Sequence, residues 1–484
     1  MANRRRNGKG GFAAPAAWIS SVRHTNGRAT EKAPRHDAGK GQHIRGLRRP
    51  AARSVRPRLR EVPDYGIPRG RFLLLFAVML VAASGNTAMQ SLMPAIGRGL
   101  GVPDIWVAVA FSLSAVLWVV TAPYWARRAD HRGRRALMRL GLYGFIVSML
   151  ICGAMLALGL AGLVGPAIAF AVFTVGRTIY GAWGSASPPA VQAYVAARTD
   201  GERRTNALAA IASSFALGTI LGPAVAPLFI FAPLGLAGPL IFFAAIGAAV
   251  LLALVILLPD DTPRSQVHAQ VAEFPSIGGA GAAAPAAEGG AERLRWRDPR
   301  VFAWHMIGVV GGHGHAALLG TVGFLVIDRL LLPLEEAQHS IAIVLIAGAA
   351  ASLLAQWWLI PLLALDPRRL VLWGALVGGI GTVLTGVAEG MYGITLSFAL
   401  ASLGYAFFRP GFTSGASLAV SPSEQNAVAG MVTSVNGVAF IAAPALGVAL
   451  YTWSKPLPFL ATGAVMLALA LWTWLRFSPS APAR

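Results

Sequence analysis

"RRADHRGRRALMRL", Arg127–Leu140, sets six arginines and one aspartate between two long apolar stretches. Charge at that density cannot lie in hydrocarbon, where one arginine at mid-depth costs roughly 2.5–3.5 kcal/mol on insertion scales. The segment is therefore a loop at a membrane face, with one span ending before it and another starting after it. The stretches on either side are each about 20 residues long, the length that crosses a hydrocarbon core about 30 Å thick. Neither alternates with the period of two that marks a barrel strand, and a bilayer admits only helices or closed barrels. Both read as helices.

The rest of the chain repeats this pattern. Of 484 residues 55% are hydrophobic and 13% charged, whereas roughly one quarter of a soluble domain is charged. Apolar runs start near Phe72, Ile105, Leu137, Val164, Ala207, Leu236, Val301, Ile341, Leu370, Met391, Ala427 and Leu457. The predicted fold class is all-α, a polytopic membrane protein of twelve transmembrane helices. The single cysteine, Cys152, falls inside the third run, so no intrachain disulfide can form and the residue reads as packing.

Loop charge orients the spans, because Lys and Arg collect in cytoplasmic loops. One set of loops carries the Arg127–Arg139 cluster, Arg198, Arg203 and Arg204, Arg264 and Arg293–Arg300, and Arg368 and Arg369. The opposite set carries only Arg98, Arg329 and Lys455. The asymmetry predicts both termini in the cytoplasm and a multi-pass protein of the inner (plasma) membrane. Most of the net charge of +21 comes from residues 1–70, with 17 Lys and Arg against 4 Asp and Glu. That tail has no periodic apolar face and its composition predicts disorder. Three readings of it stay open: a solvated extension that attracts anionic lipid, a start site set too far upstream, and a nucleic-acid arm. The first is preferred, and no nucleic-acid partner is expected.

Residues 259–300, rich in Ala, Gly and Pro, read as a cytoplasmic linker. The expected organisation is thus a basic tail (1–70), a six-helix bundle (71–258), the linker (259–300), a second six-helix bundle (301–476) and a short tail (477–484). Internal repetition supports the division. "NALAAIASS" from Asn206 and "NAVAGMVTS" from Asn426 share Asn, Ala, Ala and Ser, each opening the fifth span of its half, and at the same offset Gly184 falls on Gly404. Two repeated bundles around a site near the midplane is the organisation of a transporter.

The residues of the loop also carry a family resemblance. "ARRADHRGRRALM", Ala126–Met138, resembles the loop 2–3 signature of the major facilitator superfamily, with Asp130, Gly133, Arg134 and Arg135 matching while Ala126 and Arg128 depart from it. "RTIYGAWG" from Arg177 resembles the span-four R-x-x-x-G motif of proton-coupled drug exporters, with Gly184 one place late. "GTILGP", Gly218–Pro223, resembles the span-five G-x-x-x-G-P motif of antiporters, carried by Gly218, Gly222 and Pro223, although Ala226 and Pro227 stand where further glycines are usual. "RPGFTSGASLAVSPSEQNAVAG" from Arg409 is similar to tetracycline- and metallophore-type exporters. The resemblance implies a two-bundle fold working by alternating access, with the Asp130 loop as a cytoplasmic latch. The equivalent loop of the second half keeps Asp366, Arg368 and Arg369 but no glycine, so a weaker latch is expected there. Apart from the family, arginines orient the loop and bind lipid phosphate, Asp130 suits a helix end or a breakable pair, and Gly133 permits a tight turn.

Polar residues within the spans supply the candidate site. No Asp or Glu falls in an apolar interior; Arg177 and Arg409 do. Helical periodicity puts Arg177, Tyr180 or Gly181, and Gly184 on one face, with Pro188 and Pro189 available to kink the span. Arg177 reads as a coupling or gating residue, or as a structural donor to carbonyls; Arg409 as a cavity residue, or as one that snorkels to the nearer end. Asn86 and Gln90, four apart with Met93 continuing the stripe, suit either an inward cavity or helix–helix contact. Gln356 and Asn436 are further cavity candidates. His313 and His315 could carry a coupling proton where carboxylates are missing, or simply line the cavity. Being two apart they do not share a helical face, and no metal site is expected.

The sequence holds no Ser/His/Asp, Cys/His or paired-carboxylate constellation and no phosphate-binding loop, so neither an enzyme nor an ATP-driven pump is expected. The expected function is proton-coupled efflux of a small amphipathic organic molecule by a monomer that needs no cofactor. A proton-coupled importer of a small metabolite is the alternative, and a non-transporting sensor or enzyme the more distant one.

Overall fold

The structure is a computed structural model that describes residues 66–199, 201–231, 234–259, 294–421 and 424–476. The basic tail, expected to be disordered, lies outside the described residues, as do most of the linker and the final tail. So do the side chains of Asp130, Asn206 and Asn426.

The described chain is helical, with one isolated bridge between Phe231 and Gly235. Eleven helices among the described residues are long and apolar enough to cross a membrane. The first half contributes span one (Arg69–Gly99), span two (Asp104–Arg132), span three (Arg134–Leu160), span five (Gly201–Val225) and span six (Gly238–Leu257). The second half contributes span seven (Pro299–Leu330), span eight (Leu334–Leu354, continued by Ala355–Leu359 and Ile360–Leu363), span nine (Pro367–Val387), span ten (Gly390–Leu418), span eleven (Gln425–Trp453) and span twelve (Leu457–Arg476). Span four makes the twelfth. It is built of Pro166–Ile179, a wider π turn at Tyr180–Gly184, and Ser187–Ala196. Pro188 and Pro189 cannot donate to the carbonyls four residues back, so the regular ladder breaks before them, at Gly184 and Ser185.

Local chemistry explains the boundaries. Asp298 accepts from the Arg300 amide and Asp366 from the Arg369 amide, each capping the helix that follows with a proline in its first turn. Gly133 alone separates spans two and three, at φ 83° and ψ 141°, a region open essentially to glycine. In the second half that freedom is missing. The turn at Ala364 nevertheless takes φ 44°, a conformation that costs an alanine on the order of 1–2 kcal/mol.

Small residues decide how closely the spans pack. A Cβ on Gly222 would stand 2.3 Å from the Ser84 carbonyl, and one on Gly218 2.8 Å from that of Leu80, so span five lies directly on span one. Thr87 fastens the contact by donating to the Gly218 carbonyl. Gly404 packs on the backbone at Gly378, whereas the Cβ position of Gly184 faces the ring of Tyr180. The repeat therefore matches these two glycines in sequence and not in the contact each makes.

Candidate functional site: a cavity shared by both halves

A cavity of about 220 Å³ opens between the halves. Span one supplies Thr87, Gln90, Ser91 and Met93, span two Phe111, and span five Thr219 and Pro223. Across from them stand His315 of span seven, Ser352 and Gln356 of span eight, Phe398, Tyr405 and Arg409 of span ten, and Phe440 of span eleven. The wall is mainly aliphatic and aromatic, with a few hydroxyls and amides; among the described residues none that lines it is Asp or Glu. Such a surface takes an amphipathic organic molecule by contact area and orients it with few polar groups.

Gln90, Gln356, His315, Arg409 and Pro223 are thus brought together in one wall. Arg409 is among the residues that line the cavity. His315 stacks on Tyr405 with ring centroids 4.7 Å apart. His313 lies outside the lining, its Nδ1 2.7 Å from the Val309 carbonyl of its own helix. Asn436, whose buried Nδ2 has no hydrogen-bond partner among the described residues, is likewise outside it.

Arg177 is fully buried one ring behind the wall. Its guanidinium carbon sits 4.8 Å from the ring centroid of Phe111 and 5.0 Å from that of Tyr180. Nη2 donates to Asn86 Oδ1, while Nε and Nη1 have no hydrogen-bond partner among the described residues. The two amides of the span-one stripe therefore divide: Asn86 holds Arg177 and Gln90 reaches the cavity. Tyr180 opens the π turn, and Gly181 presses on span two, where a Cβ would meet the Ser114 carbonyl at 2.4 Å. In place of one polar face, the turn sends Arg177 and Tyr180 towards span one and Gly181 towards span two. In the loop motif, Arg134 is buried and Arg135 donates to the Val255 carbonyl at the end of span six.

One constellation was not visible in the sequence. At the arginine-poor face, Arg98 donates to both oxygens of Asp104 at 2.6 Å and to Asp328 at 3.0 Å. Asp104 belongs to the same half and Asp328, near the end of span seven, to the other. Tyr451 donates to Asp328 at 2.8 Å, and Lys455 lies 3.6 Å away. A second link between halves runs from Gln338 Nε2 to Ser91 Oγ, 3.1 Å, and Gly323 packs on Pro94. These contacts close the cavity towards that face. The signal in the sequence was the rarity of charge there; a separation of 230 residues between Arg98 and Asp328 hid the pairing.

Two helical bundles that share one polar-spotted cavity have the architecture of a membrane transporter. The sequence profile of the Major Facilitator Superfamily matches residues 74–359, and the chain belongs to that family. It is 24% identical over 401 residues to Multidrug resistance protein 2 of Bacillus subtilis (strain 168), covering 82% of this chain and 92% of that protein. Among solved structures, the nucleoside transporter NupG superposes with a TM-score of 0.63 at 13% identity, covering 84% of this chain and 100% of that one. The human organic anion transporter MFSD10 (TETRAN) gives 0.55 at 19%, with coverage of 84% and 100%. At these identities both share the fold.

Proposed function

We propose that the chain is a proton-coupled exporter that moves a small amphipathic organic molecule out of the cytoplasm. The observation that carries this reading is the mixed apolar and amide wall, built from both halves and closed at one face by the Arg98–Asp328 pair. Rocking the halves would part that pair and open the cavity to the other side, the movement alternating access requires. The arginine-rich loops would face the cytoplasm, with both termini, in the inner (plasma) membrane, and one copy would form the whole pathway. The Bacillus relative's name, a multidrug resistance protein, favours drug-like molecules as the cargo.

Arg177 and His315 are the groups we assign to coupling. Arg177, held by the neutral Asn86, brings a fixed cation to within one ring of the cavity, and His315 is a titratable group in its wall. His313, tied to its own helix, is the weaker choice. The loop of Asp130, Gly133, Arg134 and Arg135 is assigned to gating, as are Gly218, Gly222 and Pro223, which bind spans one and five into a single moving wall. Substrate efflux from proteoliposomes under an imposed pH gradient tests the coupling. Wild type should respond to the gradient, and Arg177→Ala and His315→Ala should respond at least tenfold less; equal, gradient-insensitive efflux in all three ends the proposal. Import instead of export would appear as accumulation in right-side-out and not in everted vesicles.

A further inference from the structure

The charge of the cavity carries the reading one step further, to the kind of substrate. Resting on the transporter reading of this same site, we infer that the cavity selects organic anions: flat, largely apolar molecules carrying a carboxylate or sulfonate that Arg409 receives.

Arg409 lines the cavity. Arg177 stands behind Phe111, which is itself a lining residue. Against these cations the wall offers no carboxylate. Asp104 and Asp328, at the arginine-poor face, are engaged by Arg98 and lie outside the lining. Charges within a low-dielectric pocket act at several times their strength in water. A ligand cation would therefore be repelled with nothing opposite to receive it. A ligand anion gains the planar fork of a guanidinium, whose two parallel N–H donors match a carboxylate or sulfonate. Phe111 and Phe398 offer ring surface for the rest of such a molecule, and the amides of Gln90 and Gln356 can bond its remaining polar atoms.

Two xanthene dyes of like shape and opposite charge test this directly: fluorescein as anion and rhodamine 123 as cation. Binding of each to the purified full-length protein in nanodiscs is followed by fluorescence anisotropy, with empty nanodiscs as the blank. Fluorescein should bind at least tenfold more tightly than rhodamine 123. Arg409→Gln should shrink that preference to within about threefold, and Arg409→Lys should restore most of it, which separates loss of charge from loss of fold. Equal or tighter binding of rhodamine 123, binding of neither dye, or a preference unchanged in Arg409→Gln overturns the inference. Counterflow of each dye in proteoliposomes is read separately. Anion-selective binding without counterflow supports the inference while removing the transporter reading, and counterflow confined to rhodamine 123 removes the inference while keeping the transporter.

Discussion

The two faces of the protein use charge in opposite ways. At the arginine-rich face the described pairs stay within one half: Arg300 with Asp298 and Glu424, Arg369 with Asp366, Arg135 with the Val255 carbonyl. At the arginine-poor face Arg98 is divided between a carboxylate of its own half and one of the other. Abundance of charge and strength of attachment thus run against each other. An exposed pair contributes roughly 0–1 kcal/mol because water competes for both partners. The carboxylate of Asp328, 12% exposed and bonded to Arg98 and Tyr451, cannot recover that hydration if its partners leave. Few, half-buried charges join the halves, while the more numerous ones at the other face pair within their own half.

Breaking the closed face should have the largest effect. Arg98→Ala leaves Asp104 and Asp328 without their shared cation. It should cost the closed arrangement about 2 kcal/mol, between the surface and buried limits, or roughly 30-fold in population. Maleimide labelling from the arginine-poor side of Ser91→Cys, in a Cys152→Ser background, reads this: wild type should label slowly and the Arg98→Ala form much faster. Asp328→Asn is milder, since Arg98 keeps Asp104 and the Tyr451 hydroxyl keeps an acceptor, and roughly tenfold faster labelling is expected.

At the other face, Gly133→Ala probes the one-residue link between spans two and three. A Cβ at φ 83° should destabilise the protein by about 1 kcal/mol, lowering the midpoint of thermal unfolding in detergent. Unchanged unfolding would mean that the link can rearrange. The smallest effect belongs to Arg300→Ala. Arg300 holds the Glu424 carboxyl down from its ordinary 4.5 to about 2, with help from Ser421. A lowered carboxylate pKa stabilises the fold above pH 4.5, and that contribution fades as pH falls towards about 2. The variant should therefore unfold slightly earlier than wild type at pH 7, and the two should coincide near pH 2. High salt should shrink the difference at pH 7 while leaving the labelling of the closed face unchanged.

Apolar run length located every span, because hydrocarbon thickness dictates it, but it misjudged ends where polar residues are useful. Span eight begins at Leu334, a full two turns before the run starting near Ile341. Glu335 and Glu336 suit the positive end of a helix, and Gln338 is buried because it meets Ser91 of the other half. The π turn of span four was illegible for a similar reason: two prolines remove the bonds to Gly184 and Ser185 without saying that the turn before them widens. At the site, rarity was the readable clue. Arg177, Arg409, Gln90 and His315 stood out as polar residues in apolar runs, yet only packing separates Arg409, in the wall, from Arg177, one ring behind it.

The sequence by itself determined that this chain is a bundle of membrane helices, where the loops fall and which face holds the arginines, since all three follow from the cost of placing polar groups in hydrocarbon. Tertiary structure alone decided that Arg98 spans the two halves, that Asn86 serves Arg177 while Gln90 serves the cavity, and that the cavity wall carries arginine and histidine with no acid. Those outcomes depend on which distant residues meet, and hydropathy is a property of each segment taken alone.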